Sequence, residues 1–169
     1  MSGCSSNTDQ VDSKQDNEYE VVRIKKTKNT CSLCESYSQE NQSKQVAIVS
    51  CEGACLRGEI SRRAANLVSF SLAPEKTVQI CLGGAFTKDT GQRDLVRNAK
   101  QVVVIEGCFI QCATRMLQGV ITDFAPQIVI ADSLYDLGGD YFGMNEVDEK
   151  EIQSTSERVA KRVNEMINQ

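Results

Sequence analysis

Between Val46 and Ala131 the chain alternates short β-branched runs with longer stretches whose apolar residues recur at helical spacing. Val46-Ala47-Ile48-Val49-Ser50 predicts a strand over 46–50. A helix starting near Gly58 follows, with Ile60, Ala64, Leu67 and Val68 on one face, and Pro74 ends the connection after it. The second strand is expected over 77–81, then a Gly83-Gly84 loop. Asp89-Thr90-Gly91-Gln92 has the form of a capping box, opening a helix to about Lys100 with Leu95, Val96 and Ala99 inward. The third strand is expected over 102–106, and a helix from about 112 places Met116, Leu117 and Val120 on one side. The fourth strand covers 127–131, followed by a loop with Gly138, Gly139 and Gly143. A second capping box, Asp148 to Glu151, opens a long helix with Ile152, Val159, Val163 and Ile167 inward.

Strands that alternate with helices imply parallel pairing and crossover connections. The expected fold class is α/β: a single three-layer, Rossmann-like domain over 45–169, with a mostly parallel sheet of about four strands. Strand order does not follow from the pattern. Residues 1–44 read as a polar, largely disordered tail, because 1 to about 18 offer almost nothing to bury. Within that tail Glu20 to Ile24 has the composition of a short strand. Cys31-Ser32-Leu33-Cys34 is a C-x-x-C in a polar loop, and Glu35 to Gln45 reads as a linker.

The cysteines change this picture most. Cys51, Cys81 and Cys108 each fall at the end of a predicted strand, and Cys112 lies where the next helix should start. In parallel α/β sheets ligands bind outside the carboxyl ends of the strands. Cysteines distant in sequence would meet there, as a metal site or a redox or nucleophilic centre. Cysteines used only as small core hydrophobes would scatter through strand interiors. The segments leading to Cys51 and Cys108 also echo each other, since each continues as C-x-x-x-C, to Cys55 and to Cys112.

Composition narrows the chemistry. The chain has 169 residues, 8 cysteines, no histidine and no tryptophan, and a formal net charge of -4. Without histidine, Cys-His dyads and histidine general bases are excluded, and a zinc site must be built from thiolates, with carboxylate or water completing the sphere where a thiolate is missing. The acidic balance and sparse aromatics argue against nucleic acid, and Arg23 to Lys28 reads as a solvated segment. No apolar run is long enough for an export signal or a membrane span, so no membrane association is expected. The expected setting is the reducing cytoplasm, where such cysteines bind metal or catalyse.

Two readings of the cysteines compete. Cys51-Glu52-Gly53-Ala54-Cys55-Leu56-Arg57 is C-x5-R between a strand and a helix. It resembles the oxyanion loop of low-molecular-weight tyrosine phosphatases and arsenate reductases, where a thiolate attacks and an arginine holds the oxyanion. Gly58 stands where that family has a hydroxyl residue. Asp132 and Asp136 are candidate general acids, without that family's Asp-Pro pair.

A longer resemblance covers Cys51 to about Gly139. Its parts are Cys51-Glu52-Gly53-Ala54, then Gly58-Glu59-Ile60-Ser61-Arg62-Arg63-Ala64-Ala65, and Cys81-Leu82-Gly83-Gly84. Glu106-Gly107-Cys108, with Cys112 four residues on, and Asp136-Leu137-Gly138 complete it. These resemble the DGC-domain family of small zinc-binding proteins, named for an Asp-Gly-Cys motif. Here Glu106 replaces the aspartate and Phe109 stands where a proline is usual. The resemblance implies four metal ligands, Cys51, Cys81, Cys108 and Cys112, and Zn2+ as the cofactor. An iron–sulfur centre or another soft metal uses the same donors. Cys55 is outside that set, and the roles of Cys31 and Cys34 stay open. The partner implied is a metal ion, for sensing, storage, delivery or metal-dependent thiol chemistry.

Overall fold

The computed structural model describes residues 19–169; the tail expected over 1 to 18, with Cys4, lies outside them. Four strands, β1 (Val46–Ser50), β2 (Thr77–Gln79), β3 (Gln101–Glu106) and β4 (Gln127–Ile130), form one sheet in the order β2-β1-β3-β4. Every pairing is parallel. The described helices are α1 (Ser32–Glu40), α2 (Leu56–Leu67), α3 (Leu82–Thr87), α4 (Gly91–Asn98), α5 (Cys112–Gln118) and α6 (Glu149–Met166).

The three-layer α/β expectation holds. β1 is an inner strand buried at all five positions, which is why its first four residues are a continuous apolar run. Side chains still alternate between faces. Val46 and Ile48 join Val103 and Ile105 against Ile60, Ala64, Val159 and Val163 of α2 and α6. Ala47 and Val49 join Val104 on the other face, against Leu95, Val96 and Leu117 of α4 and α5. Burying one such Ile or Leu contributes roughly 1.5–3 kcal/mol. β4 is the open edge, with Gln127 and Ile128 exposed.

Several boundaries differ from the sequence pattern for local reasons. Residues 20–24 form no strand and are exposed. The expected linker after Cys34 is instead helix α1, which contacts α4. The expected Gly83-Gly84 loop is the short helix α3, whose Leu82 and Ala85 enter the core. β2 stops at Gln79, although the Ile80 N–H still donates to the Ile48 carbonyl at 2.9 Å; the Cys81 N–H turns to the Gln92 side chain at 2.9 Å. α2 begins at Leu56 and runs on through a π-helical turn, Val68–Leu72, before Pro74. Neither capping box closes fully. Thr90 makes no side-chain cap bond, and Asp148 accepts from the Lys150 N–H at 2.8 Å without a reciprocal bond from Glu151. No helix among the described residues is long and apolar enough to cross a membrane.

Candidate functional site

The chain leaves β1 toward β2 on one side and later returns to place β3 on the other. β1 and β3 therefore flank a topological switch point, where connections diverge and a crevice opens at the carboxyl ends. The loops entering that crevice are 51–55, after β1, and 107–111, after β3. Backbone contact locks them together. A Cβ at Gly58 would come within 2.4 Å of the Gly53 carbonyl oxygen, and one at Gly107 within 2.9 Å of the Arg57 carbonyl carbon. Only glycine permits that approach. The Cys51 N–H donates to the Ile105 carbonyl at 2.9 Å, which holds the first loop level with β3.

Glu106 closes the second loop. It is fully buried, and its carboxylate accepts the Thr114 N–H at 2.6 Å and the Ala113 N–H at 3.3 Å. These are among the unpaired donors of the first turn of α5. The residue at the helix cap, Gln111, has φ 54 and contributes no side-chain bond. The glutamate in the Glu-Gly-Cys motif thus caps the helix that begins with Cys112.

All seven described cysteines are free, and they divide along this edge into neighbouring groups. Cys51 is buried, with Glu106 and Cys112 close enough to influence it. Burial pushes its thiol pKa up, against the N–H groups of Gly53 and Gly107, which favour the thiolate. Cys55 and Cys108 lie near enough to influence Tyr135, whose buried hydroxyl has no hydrogen-bond partner. Burial pushes the Tyr135 pKa up to about 12, with Asp132 adding to the effect and Arg57 opposing it. Arg57 reaches Asp132 at 3.7 Å and Asp140 at 3.3 Å, across a polar cavity of about 320 Å³ that Tyr135 and Asp136 also line.

The last group brings in residues that sequence spacing left unplaced. Cys31 is the cap residue of α1, and Cys34 in its first turn lies against both Cys31 and Cys81. Burial pushes the Cys34 thiol pKa up to about 12, with the Cys31 and Cys81 thiols adding to it. The Cys34 N–H and thiol lower that of Cys31, although the N–H falls short of a regular cap hydrogen bond. Cys81 caps α3, and its sulfur accepts the Gly84 N–H at 3.4 Å. Gln92 organises this corner. Its buried side chain accepts from Cys81 N–H at 2.9 Å and donates to Ser38 Oγ at 2.9 Å and to the Cys34 carbonyl at 3.2 Å. A second cysteine pair ahead of the first strand was the one sequence signal for this cluster.

The four expected ligands thus share one sheet edge without converging on a point. Cys51 lies near Cys112 and, across Gly53, near Cys55; Cys55 and Cys108 lie near Tyr135, and Cys34 contacts Cys81. Among the described residues no three Cys, Asp or Glu side chains are grouped so as to hold a metal ion. The donor chemistry suits a soft metal, because the edge presents thiols and no imidazole. The arrangement is not a closed tetrahedral cage, so side chains must rotate for the four sulfurs to meet.

A family model for the DGC domain matches residues 47–159, well over half of the chain. The chain belongs to the DGC-domain family. No curated protein and no solved structure matches it. The matched span contains Cys51, Cys81, Cys108 and Cys112 and begins after the dithiol of α1, so Cys31 and Cys34 lie outside the DGC domain.

Proposed function

We propose that this DGC-domain protein binds zinc or a similarly soft metal through Cys51, Cys81, Cys108 and Cys112. The observation that carries this reading is the gathering of all seven described cysteines at the carboxyl edge of one parallel sheet. A role as core filler does not account for them, because Cys81 and Cys112 are exposed at helix starts rather than packed in strand interiors. β1 lies between β2 and β3, so Cys51 stands between Cys81 on one side and Cys108 on the other. Bound there, zinc would supply a fixed cationic centre on which thiolates converge. The polypeptide supplies the approach of the two loops through Gly58 and Gly107, and the anchoring of α5 by Glu106.

The C-x5-R reading gains nothing from the geometry. It needs Cys51 as a low-pKa thiolate and Arg57 free to hold an oxyanion. Burial instead disfavours the Cys51 thiolate, and two carboxylates engage Arg57.

Elemental analysis of protein purified anaerobically without added metal tests the metal reading, with an absorbance spectrum to reveal any iron–sulfur centre. One zinc per chain is expected. It should be lost in Cys108→Ser and retained when Cys31 and Cys34 are both changed to Ser. Arg57→Ala should keep the metal, and the loaded protein should not turn over an aryl phosphate. Metal-free wild-type protein, or equal loss in both cysteine variants, overturns the assignment.

A further inference from the structure

We propose that Cys31 and Cys34 form a redox-active dithiol that reduces small cationic disulfides by thiol–disulfide exchange. The inference does not rest on metal binding, since neither residue belongs to the proposed ligand set.

Three observations carry it. Cys31 is exposed at the cap of α1, a helix of nine residues, and Cys34 is half-buried one turn on with its thiol against that of Cys31. An accessible first thiol backed by a sheltered second one is the division of labour that exchange requires. The pair is also held in place. Gln92 donates to the Cys34 carbonyl at 3.2 Å and to Ser38 Oγ at 2.9 Å, and Ser38 Oγ donates to the Cys34 carbonyl at 2.6 Å. Finally, a mainly apolar groove of about 620 Å³ adjoins the pair; Cys34 lines it with Leu33, Tyr37, Phe70, Ile80 and Cys81, while Cys31 stands outside the lining, one turn before Cys34. That volume suits a small molecule. The groove lining includes Glu40 and Glu52 and, among the described residues, no lysine or arginine. α1 adds Glu35. This charge favours a cationic disulfide over an anionic one.

The chemistry balances without a further reactant. The Cys31 thiolate attacks one sulfur of the disulfide, forming a mixed disulfide and expelling the other half as a thiolate. Cys34 then attacks the Cys31 sulfur, forming the Cys31–Cys34 disulfide and releasing the second half. The first thiolate takes up the proton that Cys31 had given to solvent, and the Cys34 proton passes to the second departing thiolate. The substrate disulfide is reduced to two thiols and the protein dithiol is oxidised.

The test uses the full reduced chain with cystamine as the cationic probe and oxidised glutathione as the anionic one, followed by alkylation and peptide mapping. Wild-type protein should yield the Cys31–Cys34 disulfide. Cys34→Ser should accumulate the mixed disulfide on Cys31, and Cys31→Ser should slow the reaction at least about tenfold, since Cys34 is the less accessible thiol. Cystamine should react severalfold faster than oxidised glutathione at low ionic strength, with the gap narrowing in salt. Three results would each overturn the proposal: a Cys34–Cys81 disulfide as the wild-type product, mixed disulfides spread over Cys55, Cys108 and Cys112 in Cys34→Ser, or faster reaction with oxidised glutathione. Loss of metal from Cys108→Ser, or its absence throughout, leaves this result unaffected.

Discussion

The Glu106 carboxylate accepts the backbone N–H of Thr114 at 2.6 Å, joining the end of β3 to the first turn of α5 from within the core. An acidic residue two positions before a cysteine invites a role in ligation or acid–base chemistry. Here its two oxygens are occupied by the Thr114 and Ala113 N–H groups. The acidic residue of the motif positions the helix that carries Cys112.

Replacing Glu106 with Ala should leave two buried donors unpaired and cost about 3 kcal/mol. For a chain of this size that lowers the thermal midpoint by roughly 8 °C. Glu106→Gln keeps one acceptor oxygen and should cost about 1 kcal/mol. Thermal unfolding followed by circular dichroism checks both values. Equal midpoints for the two variants would deny the capping role.

Gly58→Ala should destabilise by at least about 2 kcal/mol, because the new methyl group meets backbone that cannot rotate away. The clash would fall on the Gly53 carbonyl at 2.4 Å and drive the Cys51–Cys55 loop away from α2. Urea unfolding measures the cost. Gly83→Ala is the control, since nothing lies within 4 Å of a Cβ there.

Gln92→Ala removes the side chain joining α1 to the cap of α3. It leaves the part-buried Cys81 N–H without its partner, at a cost of about 1 kcal/mol. Amide hydrogen exchange should accelerate over residues 32–40 before it changes in β1 or β3. Unchanged exchange in α1 would show that the helix is held elsewhere.

Stability should fall in acid through Glu59. Burial raises its pKa, but hydrogen bonds from Arg62 and Arg63 outweigh burial and leave it below the ordinary value of 4.5. Arg63 also pairs with Glu149, tying α2 to α6. A carboxylate whose folded pKa is depressed contributes stability above its unfolded pKa, and that contribution is lost as pH falls through the folded value. The midpoint should therefore drop below about pH 4.5 in wild type and less steeply in Glu59→Gln, as thermal melts across that range would show.

The sequence by itself determined the layers and the edge. β-Branched runs at 46–50 and 102–106 can be satisfied only in strands buried on both faces, and helical spacing between them demands parallel crossovers. That pattern alone places Cys51, Cys81 and Cys108 at strand ends. Only the tertiary structure decided the rest. Helix α1 was not legible because it has little apolar periodicity of its own. It is held by Tyr37, whose hydroxyl accepts the Gln79 N–H at 3.3 Å, and by Ser38, packed on Gly91 and bonded to Gln92. Those partners lie about forty to fifty residues away, beyond the reach of a local pattern. The meeting of Cys34 with Cys81 follows from that docking. Strand order was undecided for the same reason: hydrophobic period records that a strand is buried, and the packing of whole helices selects its neighbour.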